Sequence, residues 1–175
     1  MADETLFQLL HTEMVIQASR RDPDPQGEQR PALTALEGVG FRVGQSLAER
    51  LPREAGLFRE ELDALKFLCK ELWGAVFRKQ IDNLRTNHQG TYVLQDNHFA
   101  LLTQMANGHQ YLEEAPKVRP QHPPASAGFL AFTCGLVRGA LSTLGIESVV
   151  TADVALLPAL SVCPAGLEVP REWGW

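Results

Sequence analysis

Gly40, Gly44 and Ala48 recur at every fourth residue, and Ala131, Gly135 and Gly139 repeat the pattern later in the chain. A glycine inside a helix costs about 1 kcal/mol relative to alanine, so two on one stripe need an offsetting gain. Close approach of a second backbone is the available reason, because only small side chains let two helix axes come near. The spacing predicts two helices with slim seams, built for tight contact inside the domain or with a partner chain.

The same glycines suggest a nucleotide loop and fail its requirements. A dinucleotide fingerprint needs G-x-G-x-x-G delivered by a strand. Here Gly38, Gly40 and Gly44 are one residue too long, and Leu36, Gly40, Val43, Leu47 and Leu51 step as a helix that ends at Pro52. No Gly-Lys-Ser/Thr follows, so a phosphate loop fails as well.

The 175 residues suit one domain. A net charge of −5 without a local basic cluster speaks against a nucleic-acid binder. No apolar run reaches the roughly 18 residues of a membrane span, and the acidic start MADETLFQLL is unlike a signal peptide. The expectation is a cytosolic chain whose three cysteines, Cys69, Cys134 and Cys163, stay as thiols.

Leu6, Leu10 and Met14, flanked by Phe7 and Leu9, predict an amphipathic helix over Thr5–Gln17. A third helix follows Phe58, Leu62, Leu65, Cys69, Leu72 and Val76, its stripe widened by Trp73 and Phe77. Arg85–Leu94 reads as a β-hairpin turning at Asn87 and Gly90, and Phe99–Met105 fits either strand or helix. Val118–Gly128 is Pro-rich and expected to be a mobile loop. Another helix over Phe129–Leu144 and a strand over Glu147–Thr151 follow. Residues 160–175 alternate poorly, contain two prolines and are expected to fray. This order of elements predicts an α+β domain with a small antiparallel sheet.

No chemistry-bearing constellation emerges. His88, His98 and His109 stand ten and eleven residues apart, a spacing that matches no ligand pattern. Cys69 and Cys134 lie on apolar stripes without a Cys-His motif, as inert buried thiols do. Glu60-Glu61 and Glu113-Glu114 read as solvated surface. Arg42 and Arg138 sit beside helix glycines, either snorkelling to solvent or forming an interface ion pair. Neither an enzyme nor a cofactor site is expected.

Gly40-Phe41-Arg42-Val43-Gly44-Gln45-Ser46-Leu47-Ala48-Glu49-Arg50, Phe58-Arg59-Glu60-Glu61-Leu62-Asp63, the run Leu84–Asn97 and Phe132-Thr133-Cys134-Gly135-Leu136-Val137-Arg138-Gly139-Ala140-Leu141 resemble one family. It is the sixth-subunit family of the TRAPP (transport protein particle) complex, in its A-type branch. The resemblance spans Met1 to about Pro158, and Asn87–Asp96 is its most specific part. It implies a helical layer packed on a small antiparallel sheet. It also implies a non-catalytic subunit that heterodimerises through its first two helices with a sister subunit of the same fold. The particle it implies tethers vesicles in transport from endoplasmic reticulum to Golgi and promotes exchange on a Rab-type GTPase. Localisation would be cytoplasmic, peripheral at the cis-Golgi and endoplasmic reticulum, with membrane association only through the complex. The implied partner interface comprises Leu6, Phe7, Leu10, Leu36, Gly40, Phe41, Arg42, Val43, Gly44 and Leu47. The alternative is a small-molecule or lipid-binding domain with an internal channel.

The chain departs from the family pattern three times. Ala55 stands where the sister subunit carries an acylated cysteine, so no covalent lipid is expected there. Residues 118–128 interrupt the pattern as an inserted loop. After Pro158 the expected Cys-Lys-Phe-Gln-Val-type strand has no counterpart, which makes 1–158 the domain and 159–175 a disordered non-family tail. Such a splice variant or unusual homologue would lack the last strand. Glu147–Val154 would then be uncovered, forfeiting roughly 1.5–3 kcal/mol for each apolar side chain exposed.

Overall fold

The computed structural model describes residues 2–21, 30–51, 60–87, 90–102, 124–156 and 159–168. Two long helices open the chain, α1 (Ala2–Arg21) and α2 (Arg30–Arg50). A third run starts as α3 (Glu61–Phe67), passes through a π-helical turn at Leu68–Leu72 and ends as α4 (Trp73–Phe77). Strands β1 (Asn83–Thr86) and β2 (Tyr92–Asp96) follow. The long helix α5 (Pro124–Thr143) then leads into β3 (Glu147–Leu156) and β4 (Ala159–Glu168). The architecture is α+β, helices against one four-stranded sheet in the order β1-β2-β4-β3, with every pairing antiparallel.

The amphipathic stripe of the third run survives its π-helical turn. Leu65 and Leu72 are fully buried, Leu62, Cys69 and Val76 pack against the core, and Trp73 and Phe77 widen the contact as the sequence predicts; Ala64 and Leu68 add to it, and Phe58 lies outside the described residues. The wider π turn has a local use: the Cys69 carbonyl accepts the Ile81 N–H at 3.0 Å, which draws the chain after α4 back along the helix. Arg78 closes α4 in the left-handed conformation, with φ 58°, and its N–H returns to the Gly74 carbonyl at 3.1 Å.

The hairpin forms with Asn83 opposite Gln95 and Thr86 opposite Tyr92. Asn87 shapes its turn, its N–H donating to the Thr91 carbonyl and its Oδ1 accepting the Thr91 N–H, both at 3.2 Å. Gly90 takes φ 79°, a conformation open to glycine. Past β2, a helical turn begins at Ala100 and buries Leu101 and Leu102, which resolves the ambiguity at its start; residues 103–105 lie outside the described residues.

Two expectations are corrected here. The sheet keeps its last strand: Ala159–Glu168 forms β4, which joins β2 to β3. Leu160, Val162 and Pro164 point inward with two-residue alternation, while Ser161 and Cys163 are half-buried. Pro164 obscured that alternation, yet it does not break the strand. It lies opposite Val150 of β3, past the last β2 partner at Val162, where a missing N–H breaks no ladder on the β2 side. With β4 alongside, β3 has a paired side over Val149–Asp153 and at both ends, and the loss of stability expected from a missing strand does not arise. Second, the Pro-rich segment is not wholly loop, because its last five residues, 124–128, form the first turns of α5. Proline suits a first helical turn, whose N–H groups have no intrahelical partner anyway. Residues 118–123 and 169–175 lie outside the described residues.

Candidate functional site

The two slim seams meet each other. α2 and α5 pack so closely that a methyl on Gly40 would strike the Phe132 carbonyl oxygen, and one on Gly44 that of Leu136. The relation is reciprocal: Gly135 faces the Glu37 carbonyl and Gly139 that of Phe41. Backbone touches backbone from both sides, the geometry in which Cα–H groups contact carbonyls across a helix pair. Ala48 continues the stripe at full burial. Of the two destinations that the sequence allows for these seams, the domain interior is the one occupied.

This packing redistributes the residues implied as a partner interface. Leu36, Gly40 and Gly44 are buried inside the chain. Phe41 is half-buried under the Arg138 guanidinium, 4.9 Å above its ring. Phe7 and Leu47 pack against the core. Arg42, Val43, Leu6 and Leu10 remain exposed. Arg138 also meets Glu37 at 3.3 Å, so its ion pair is internal to the chain. The alternative of an interface ion pair is left to Arg42.

α1 decides what lies outside. Its inner face is Phe7, His11, Met14 and Val15, so the expected Leu6, Leu10, Met14 stripe is rotated and only Met14 of the three turns in. His11 is 1% exposed, stacked among Phe7, Phe129 and Phe132 at centroid distances of 6.1, 5.4 and 5.0 Å. Neither ring nitrogen has a hydrogen-bond partner, and burial lowers its pKa from 6.5 to about 4. With the aromatic ladder turned inward, Leu6, Leu9 and Leu10 point outward at 65%, 60% and 58% exposure. Val43 of α2 is 37% exposed. Leu9, which the sequence placed only as a flank, is therefore as open as the two stripe residues.

Three large exposed leucines within five residues are an apolar surface without cover among the described residues, a feature typical of protein contact sites. Among the described residues, nothing nearby resembles reaction chemistry. Burial pushes the Cys69 and Cys134 thiols up to about 12, the opposite of an activated nucleophile. No group of three His, Cys, Asp or Glu among the described residues is placed to hold a metal ion. His98 is exposed, while His88 and His109 lie outside the described residues.

Comparison with known proteins assigns the lineage. The family model described as "Transport protein particle (TRAPP) component" matches residues 7–164. The chain belongs to the TRAPP family. Within that family it is 64% identical over 173 residues to trafficking protein particle complex subunit 6A of Homo sapiens, covering 98% of this chain and all of the relative. Subunit 6B of Homo sapiens is 55% identical over 159 residues, 91% of this chain and 94% of the relative, so this TRAPP chain sides with the A-type paralogues. In fold it matches a subunit 3 from Naegleria fowleri, solved covalently bound to palmitic acid, with a TM-score of 0.68 at 16% identity and coverage of 95% and 96%. Position 55, where a lipid-bearing cysteine would be sought, lies outside the described residues. As a TRAPP chain it has a trafficking-complex role, with other TRAPP subunits as its partners. Among the described residues, no helix is long and apolar enough to cross a membrane.

The described residues of the run Asn87–Asp96 have roles in folding at both of its ends. Asn87 builds the hairpin turn, and Asp96 closes β2 as a fully buried carboxylate. Asp96 accepts from Trp73 Nε1 at 2.9 Å, Lys79 Nζ at 2.6 Å and the His98 N–H at 3.0 Å. Lys79 also reaches Asp82 at 3.0 Å, which accepts the Asn97 N–H at 2.8 Å. Burial pulls the Lys79 pKa down, but its bonds to Asp96 and Asp82 outweigh this and raise it. The Asn97 N–H, followed by Lys79, lowers the Asp82 carboxyl. Sequence reading missed this network, since its members are spread over twenty-six residues and none stands out alone.

Proposed function

We propose that this chain is a non-catalytic subunit of a vesicle-tethering particle in endoplasmic reticulum to Golgi transport, and that it heterodimerises with a sister TRAPP small subunit of the same fold. The outer face of α1, Leu6, Leu9 and Leu10, forms the centre of the contact, with Val43 and Arg42 of α2 contributing. Within the particle it supports exchange on a Rab-type GTPase by architecture, without supplying a catalytic group. It resides in the cytoplasm and reaches cis-Golgi and endoplasmic reticulum membranes through the assembled complex.

The observation that carries this reading is the exposure of those three leucines on a helix whose opposite face is firmly anchored. Each leucine taken out of water contributes roughly 1.5–3 kcal/mol. Co-expression with the sister subunit and size exclusion tests it, with a one-to-one complex expected. Leu6→Asp with Leu10→Asp should weaken the complex by about a hundredfold or more and leave the thermal unfolding of the isolated chain unchanged. A double variant that still co-elutes with unchanged affinity refutes the α1 contact.

A further inference from the structure

Among the described residues, sheet order leaves β3 on an outer edge, and the two edges differ. β1, on the opposite side, has four residues, whereas β3 has ten. An edge strand offers a row of unpaired N–H and C=O groups, and natural sheets blunt such rows by shortness or charge. β1 is short. β3 is long, and its side chains alternate cleanly: Val150, Ala152 and Val154 pack against the core, while Glu147, Val149, Thr151 and Asp153 face solvent. Val149 is 66% exposed, the largest value among the exposed large apolar residues described. Register shifts at Glu147/Val149 and Asp153/Leu156 bracket an evenly paired section, Val149–Asp153.

The outward row therefore reads acid, apolar, polar, acid. β3 contains no lysine or arginine, which argues against a second copy as its occupant. Antiparallel self-pairing centred on Val150 sets Glu147 against Asp153 of the other copy, two like charges; centring on Thr151 sets each Val149 against an Asp153. Like charges directly opposite destabilise a strand pair, and opposite charges support it. The row is complementary to a foreign strand with cations facing Glu147 and Asp153, roughly 20 Å apart at strand rise, and an apolar side chain facing Val149.

We propose that the open edge of β3 docks an extended basic segment of another protein as a fifth, antiparallel strand. Backbone hydrogen bonds along Val149–Asp153 hold the segment. Its lysines or arginines pair with Glu147 and Asp153, and its apolar residue covers Val149. The surface is on β3 and the heterodimer face is on α1, so each reading can fail without the other.

The test uses the full chain and a fluorescein-labelled peptide, Lys-Thr-Thr-Thr-Val-Thr-Lys, read by fluorescence anisotropy. Its counterpart with glutamate at both ends, and a form N-methylated at alternate residues, serve as comparisons. The lysine peptide should bind at least about tenfold more tightly than the glutamate peptide, and N-methylation should abolish binding. Glu147→Lys with Asp153→Lys should invert the peptide preference, and Val149→Ser should weaken binding several-fold, with circular dichroism confirming that both variants fold. No binding of the lysine peptide overturns the proposal and leaves the acids as guards of the edge. Equal binding of the N-methylated form, or an unchanged preference in the charge-reversed variant, reduces the contact to diffuse charge attraction and overturns it as well.

Discussion

The Trp73 indole N–H donates to Asp96 Oδ2 at 2.9 Å, and both side chains are fully buried. That bond ties the end of the third helical run to the end of β2, and Lys79 Nζ pairs with the other Asp96 oxygen at 2.6 Å. Asp96→Ala would orphan the indole N–H and take from Lys79 its nearest anion. Lys79 is partly exposed and keeps Asp82, so the cost comes chiefly from the unmet indole and the lost charge-assisted bond, about 2–4 kcal/mol. Trp73→Phe removes one donor and should cost less, about 1–3 kcal/mol from the unmet bond. Urea denaturation should rank the variants in that order; equal midpoints for Asp96→Ala and the parent would show the network to be dispensable.

Glycines in this fold should respond to alanine with opposite signs. Gly40, Gly44, Gly135 and Gly139 face backbone of the partner helix, which cannot yield as a side-chain tip can. Alanine at any one forces α2 and α5 apart, at a cost of about 1–3 kcal/mol or more as overpacking does, despite better helix propensity. Gly74 has nothing within 4 Å of an added methyl, so Gly74→Ala should stabilise by up to about 1 kcal/mol. Thermal melts of the five variants check this, with the Gly74 variant alone moving upward.

His11 makes stability depend on acidity. Its pKa is 6.5 when unfolded and about 4 when folded, so between those values the unfolded chain binds the extra proton. The contribution is complete above pH 6.5, declines as pH falls from 6.5 towards 4, and amounts to about 3 kcal/mol over that interval. His11→Phe keeps the aromatic packing against Phe129 and Phe132 but cannot titrate. The difference between parent and variant stabilities, measured from pH 7 to pH 4, should therefore grow as pH falls. A constant difference would show that His11 stays neutral in both states or charged in both.

The thiols should be unreactive in the native chain. With Cys69 and Cys134 pushed up to about 12 by burial, thiolate at pH 8 is on the order of one part in ten thousand. Iodoacetamide labelling followed by mass spectrometry should leave both unmodified over the time in which denatured protein is fully labelled. Rapid native labelling of Cys134 would mean that α5 opens away from its neighbours.

Local sequence carried much of this architecture because local forces set it. Four-residue spacing of glycine on two segments made α2 and α5 legible as helices with slim seams. The stripe from Leu62 to Val76 and the Asn87–Gly90 turn were readable for the same reason, each depending on neighbours within one or two turns of chain. β4 was not readable, because Pro164 and Gly166 count against a strand until β3 and β2 are seen to pair with Leu160 and Val162.

From its sequence alone, this chain determined its family, its α+β class, and the need of its seams for a close backbone. Tertiary structure decided where that backbone comes from and which face of α1 stays in water. Glycine spacing measures how near a neighbour must come, and it is blind to whether the neighbour belongs to the same chain. Likewise, Leu6 and Phe7 are both apolar, and helical periodicity tolerates either facing inward. The aromatic contacts of Phe7 and His11 with Phe132 break that tie, since aromatic rings pack edge-on against one another with a gain beyond plain burial.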